Sequence, residues 1–405
     1  MNTDDFYHLL NIGETCMFWV KYVFLFLGVL IISCTSSQPE GKGIKLGTLL
    51  SYETAQPLDL KYSDLFSKVE TVPLDTVNDF LVSEVRQFRF ALDRFFVLNR
   101  EELLIFSRQG KGVARINRYG QGREEYLHIG GFDISEQDST ICLYTFPTKL
   151  MYFSLDGKLI REHPMDGKGF EIALLPDHSY AIYTDNAKEA EEGEKTLLDT
   201  YDEKNGVWKS FVPGYASLEN RLLPSFQQNR VFTHVPSGRE VLFFHPLTNH
   251  IYSITSKDSV RVKYTLDFGK NNPPKDAPEA MRPEMSVTDF VMKHWPVYGF
   301  NGCWENDRYF YIQTFVDKQL RDILYDKQMD RLYAGWFTDD LLYCQMKPVA
   351  ATDSFLVSHL SADALLGLKD YLESRQEKEI PPLVSNLLEQ AEKMDNPIVC
   401  LYHFK

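Results

Sequence analysis

The chain has little cysteine. Six of its 405 residues are Cys, with no Cys-x-x-Cys pair and no Cys/His spacing of the kind that binds zinc. It also lacks a surplus of positive charge: 43 Lys and Arg against 57 Asp and Glu leave a net charge of -14 and no basic patch. Such a surface repels nucleic acid and anionic lipid, which excludes both as main partners. Long apolar runs are scarce, and the one at Tyr22 to Ile32 is too short for a membrane-spanning helix of about 20 residues. No Gly-x-Ser-x-Gly elbow, His-Glu-x-x-His or EF-hand loop occurs. What is present in excess is aromatic side chain, with 28 Phe, 22 Tyr and 5 Trp making 14% of the chain, a composition suited to pleated sheet. The 44% hydrophobic and 25% charged fractions are those of an ordinary globular protein.

The short apolar run has the length of a signal-peptide core. Lys21 precedes it, and it ends in Ile31-Ile32-Ser33-Cys34, which resembles a bacterial lipobox whose cysteine receives diacylglycerol. Residues 1–33 are expected to be a signal peptide, with translation starting at Met17, because Asp4, Asp5 and Glu14 do not suit an n-region. Cys34 is the expected lipidation site and 34–57 the linker, so that the membrane is reached through the lipid. Cys142, Cys303, Cys344 and Cys400 lie far apart, three of them in apolar runs, and read as free thiols.

A repeat organises the rest. Leu103 to Val113 aligns without gaps on Leu150 to Ile160, an offset of 47, and each reads as two strands joined at Gln109-Gly110 or Asp156-Gly157. Weaker echoes begin at Thr200, Ile251 and Ile323. A more regular series precedes these hairpins: 94–98, 140–144, 179–183, 240–244, 308–312 and 353–357, six near-continuous apolar runs of the type buried on both faces. Residues 58–405 therefore predict an all-β fold, a six-bladed β-propeller. A four-stranded blade has two apolar faces and buries both only between neighbours, so the ring must close. Asn396 to Lys405 reads as the last strand, with Val69 to Leu74, or Ile44 to Leu49, as the N-terminal partner that pins it. The pattern turns helical over 361–394, where Ser361 can cap one helix and Pro381-Pro382 open another; this predicts a short helical insertion in the last blade. The acidic stretch 188–195 and the Pro-rich 271–278 read as loops.

Tyr62 to Asp75, Gly120-Gln-Gly-Arg-Glu-Glu-Tyr126, Gly131-Phe-Asp133, Phe153 to Lys158 and Asp395 to Leu401 resemble the six-bladed β-propeller lipoproteins of Bacteroides and related bacteria. The likeness extends over nearly all the mature chain. That family reads Gly-x-Gly-Pro-Gly-Glu-Tyr where this chain has Arg123 and Glu124. The ring is also similar to NHL-repeat and TolB-like propellers, which bind partners or, in some members, carry metal-dependent lactonase or lyase sites. The resemblance implies fold and location rather than a defined chemistry.

Candidate site residues are Arg118, Arg123 and Tyr126 beside the Gly-x-Gly turn, and Trp295 and Trp304 next to turns, where an indole face could stack on a sugar. The Gly120-x-Gly122 pair is read as a turn between blades, since no third glycine or following lysine makes it a phosphate loop. His residues are scattered, although a propeller can gather one ligand per blade at its axis. The expectation is a lipid-anchored, monomeric envelope protein that binds a protein, peptide or glycan, with periplasmic orientation favoured over the cell surface. No catalytic residue, metal site or cofactor is assigned. The alternative is an exported hydrolase or lyase with an axial divalent metal.

Overall fold

The structure, a computed structural model, describes residues 47–166, 169–184, 196–213, 230–245, 248–272, 293, 297–298, 300, 302–344, 347–375 and 379–405. Cys34, the leader, Trp295, the acidic stretch 188–195 and most of 271–278 lie outside them.

Six small antiparallel sheets follow one another along the chain. The first blade holds strands Gln87–Ala91, Arg94–Asn99, Glu102–Ser107 and Gly112–Ile116, and the second His128–Ser135, Thr140–Phe146, Lys149–Ser154 and Leu159–Pro164. Each apolar run of the six-fold series is the second strand of its blade, and the aligned hairpins are the third and fourth. Gly110 and Gly157 sit at φ 81° and 82°, which explains why the two hairpins share a glycine at that place. Gly110 has a further constraint, because a Cβ there would come within 2.1 Å of the Pro73 carbonyl oxygen.

Alternation along each strand sends successive side chains to opposite neighbours. In the second strand of blade 1, Phe96 and Leu98 pack with blade 2, whereas Phe95 and Val97 pack with blade 6. Blades 2 and 3 meet through Tyr144, Tyr152 and Ile182, blades 3 and 4 through Leu198 and Phe243, and blades 4 and 5 through Phe244 and Phe310. Trp304, Tyr311, Leu356 and Cys400 join blades 5 and 6. Six interfaces for six blades close the circle, so every sheet has two neighbours.

The closing joint uses the first of the two expected partners. Phe66–Pro73 pairs antiparallel with Ile398–Phe404, in register from Ile398 opposite Pro73 to His403 opposite Lys68. Asn396, at the entry to that last strand, fastens the joint: its Oδ1 accepts from the Val82 N–H at 2.7 Å, and its Nδ2 donates to the Phe80 and Asp75 carbonyls at 2.6 and 2.8 Å. Asn99 does the same from blade 1, accepting from the Ser83 and Glu84 N–H groups and donating to Leu81 O. Asp339 ties the approach to blade 6 to the closing strand by accepting from the Leu341 and Leu342 N–H groups and the Tyr402 hydroxyl.

Part of the segment read as linker is structural. Thr48–Ser51 adds a parallel fifth strand to the outer edge of blade 4, beside Ser259–Asp267, and Gln56–Leu58 adds a parallel outer strand to blade 5, beside Arg331–Gly335, in a sheet of six. The helical insertion lies between the second and third strands of blade 6, as Ala362–Arg375 and Pro382–Gln390. The Ser361 hydroxyl accepts from the Ala364 N–H at the first helix start, and Val384, Leu387 and Ala391 form the buried stripe of the second part. The four described cysteines are free and buried.

Candidate functional site

Where the six innermost strands end, the turns to the second strands surround an axial cavity of about 540 Å3. All six blades line it, through Arg89 to Leu92, Ile134 to Gln137, Leu174 to His178, Arg230 to Val241, Cys303, and Val349 to Asp353. One of these turns, Leu92-Asp93, has both residues at positive φ, 48° and 55°, a conformation that is unfavourable without glycine or asparagine.

Five ionisable side chains from four blades converge under this cavity. Asp133 of blade 2 is fully buried; its Oδ1 accepts from the Ile134 N–H at 2.8 Å and its Oδ2 from the Leu174 N–H at 2.6 Å. Arg89 Nε of blade 1 lies 3.2 Å from its Oδ1, and His234 Nε2 of blade 4 lies 2.8 Å from its Oδ2. Arg230 Nε donates to Glu171 Oε1 of blade 3 at 3.0 Å, and the second Glu171 oxygen accepts from the Val231 N–H. Burial alone would raise the Asp133 pKa, but His234 and Arg89 outweigh it and hold the carboxyl well below the usual range. Burial and the Arg89 charge lower the His234 pKa against the opposing pull of Asp133. Burial raises Glu171 against the pull of Arg230, and lowers Arg89. Buried ion pairs contribute little to stability compared with apolar packing, so such a concentration at the axis marks a site.

A second hollow adjoins the cavity. A groove of about 530 Å3 between blades 2 and 3 shares Ser135, Gln137, Leu174 and His178 with it. At its outer end the Tyr152 and Tyr180 hydroxyls lie 2.7 Å apart, Tyr152 donates to Glu203, and the Arg161 guanidinium covers the Tyr152 ring at 3.5 Å. Burial pushes the neighbouring Cys142 thiol up to about 12, so it is not a nucleophile. Among the described residues no group of three or more His, Cys, Asp or Glu side chains is placed to hold a metal ion. Among the described residues Thr233 donates to Cys303 O and Ser135 to Asp138.

The described residues among those singled out by sequence lie elsewhere, and Trp295 is outside the described residues. Arg118, Arg123 and Tyr126 share the loop from blade 1 to blade 2. There the Tyr126 side chain is fully buried, its hydroxyl accepting from the Arg118 N–H and donating to Glu101 O. Arg118 pairs with Glu124 at 3.0 Å, and exposed Arg123 offers its carbonyl to Lys149. The Glu125 carboxylate caps Gly122 N–H at 2.6 Å, which makes this loop a hydrogen-bonded turn between blades. Arg118 and Arg123 also border a shallow surface hollow with Lys149 and Arg161. Trp304 is 1% exposed, with its ring stacked on Tyr311 at 5.5 Å, so its faces are occupied by protein. The axial residues carried a signal that spacing alone did not reveal: Arg89 lies between Phe88 and Phe90, and Asp133 between Phe132 and Ile134, each charge flanked by apolar residues in a first strand.

A closed six-bladed propeller with an axial cavity over a buried charge cluster is the class these observations define. The chain belongs to the family described as a domain of unknown function, DUF4934, whose pattern matches residues 49–403. No curated protein matches it. Among solved structures it is similar to a Bacteroides fragilis protein thought to be exported, with TM-score 0.69 and 18% identity over 88% of this chain and 100% of that one. A Bacteroides vulgatus member of the DUF4221 family gives TM-score 0.48 at 9% identity, covering 84% of this chain and 97% of that one. The first likeness agrees with the fold.

Proposed function

We propose that the protein is a lipid-anchored binding module of the bacterial envelope, which takes a peptide, glycan or other elongated ligand into the trough formed by the axial cavity and the groove between blades 2 and 3. The observation that carries this reading is that the two hollows adjoin, sharing Ser135, Gln137, Leu174 and His178, beside the Arg89, Asp133, Glu171, Arg230 and His234 cluster. An elongated trough of this kind suits a chain-like ligand, and polar groups at a few fixed points supply orientation. The lipobox-like Ile31 to Cys34, the export attributed to the similar B. fragilis protein, and the likeness to partner-binding NHL and TolB-like propellers support the location and role.

Two experiments test it. Native protein and a Ser237→Trp variant, which places an indole on the exposed cavity rim, are incubated with envelope extract, and bound molecules are identified by mass spectrometry. A ligand kept by the native protein and lost by the variant is expected; equal retention overturns the reading. Cys34→Ala is expected to move the protein from the membrane to the soluble fraction, and unchanged fractionation overturns the anchor.

A further inference from the structure

The geometry points to a ligand that carries a single carboxylate, bound by Arg89 and Arg230 at the axial end of the trough with its uncharged body against the apolar cavity wall. This rests on the binding role proposed above and names the chemistry of its ligand. The argument begins with donors. A guanidinium can only donate. Arg230 commits Nε to Glu171, and Nη1 reaches Phe88 O only at 3.5 Å, while Nη2 is buried with no acceptor. Arg89, 8% exposed and lining the cavity, approaches Asp133 through Nε without forming a hydrogen bond.

The acceptors present are already engaged. Asp133 accepts from two backbone N–H groups, with His234 Nε2 2.8 Å from its Oδ2 but not hydrogen-bonded to it, and Glu171 accepts from Arg230 Nε and the Val231 N–H. Donors left without acceptors in a buried place are unfavourable, so the complementary ligand group is an acceptor. Two neighbouring planar forks suit a carboxylate, which takes hydrogen bonds in pairs.

The rest of the trough limits the ligand to one such group. Asp138, Asp177, Asp202 and Glu203 outnumber Arg161 and Lys204 in its outer part, and Glu136, Glu240 and Asp353 add to the acids of the axial cavity, so a polyanion is disfavoured. Phe90, Leu92, Leu175, Phe232 and Val235 offer the axial wall an apolar surface. The same chemistry is carried by a small free acid and by the C-terminus of a peptide.

Binding to the full-length protein is measured by calorimetry with two matched pairs of probes. Octanoate is compared with 1-octanol, and acetyl-Ala-Leu-Ala-Leu with its C-terminal amide. In at least one pair the acid is expected to bind at one site about tenfold or more tighter than its neutral partner. The pair that discriminates identifies the source, free acid or peptide end. Equal affinities within both pairs, or no binding by either acid, overturn the inference. An Arg230→Met, Glu171→Gln double variant removes the donor together with its own counter-charge. It is expected to abolish the preference for the acid over its neutral partner, with folding checked by thermal unfolding. A preserved preference overturns the role of Arg230. If that variant does not fold, Ser237→Trp serves instead: it touches neither arginine and must weaken acid and neutral probe alike, and unweakened acid binding overturns the site. Recovery from envelope extract of a ligand that Ser237→Trp excludes but that has no carboxylate would sink this inference while leaving the binding role intact.

Discussion

Asn396→Ala tests the claim that the ring is fastened at one joint. The native amide satisfies three backbone groups of the 75–82 segment, more than 300 residues away in sequence. Its orientation is fixed by the partners, since one side faces an N–H and the other two carbonyls. Truncation leaves the buried Val82 N–H and the carbonyls of Asp75 and Phe80 without partners. An unsatisfied buried group costs about 1–3 kcal/mol, and a carbonyl with a second lone pair less, so the total is about 3–5 kcal/mol. The assay is denaturant unfolding followed by tryptophan fluorescence and far-UV circular dichroism. The midpoint is expected to fall with the slope unchanged, which marks a stability change rather than a change in the unfolded state. Asn396→Asp is the sharper control, because it keeps the acceptor for Val82 but turns an anionic oxygen on two carbonyl oxygens. It should be at least as damaging as alanine. A loss below about 0.5 kcal/mol for Asn396→Ala, of the size expected at an ordinary surface position, would refute the reasoning.

Three further outcomes are expected. Burial raises the Asp339 pKa to about 6 from its ordinary 3.8, so the fold favours the protonated acid; the contribution of this one group is full below pH 4 and declines by about 3 kcal/mol as pH rises through 6. Asp339→Asn should flatten unfolding free energy across that window, and an unchanged slope would contradict the assignment. Gly110→Ala should cost more than Gly157→Ala in chemical unfolding, because both sit at positive φ but only the first drives a Cβ into the Pro73 carbonyl; equal losses would remove that distinction. Trp304→Ala should lower stability by about 3–5 kcal/mol, whereas Trp304→Phe, which forfeits no hydrogen bond among the described residues, should cost clearly less; the opposite order would overturn its packing role.

The blades were legible because each second strand is a short apolar run with turn residues on both sides, and a strand buried on two faces needs no long-range information to be recognised. The partner of the last strand was narrowed to 69–74 or 44–49 by that strand's need for one, and the structure uses the first, as 66–73, a strand only partly buried. Thr48–Ser51 and Gln56–Leu58 escaped, because four- and three-residue parallel strands owe their form to edges that lie some 200 or more residues downstream. The axial cluster escaped because its members come from four blades, and proximity there is a property of the closed circle. Trp304 illustrates the converse: its place next to a turn suggested exposure, while the helical insertion and blade 6 together enclose it.

The two rim strands have a mechanical consequence. A pull on the chain upstream of Gly47 first loads the ladder on blade 4, then the one on blade 5, and only after both have parted reaches the ladder that holds the circle shut. The two short attachments act as successive strain reliefs, so tugging at the amino end spends itself on dispensable hydrogen bonds while the seam, and the hollow it encircles, keeps its shape.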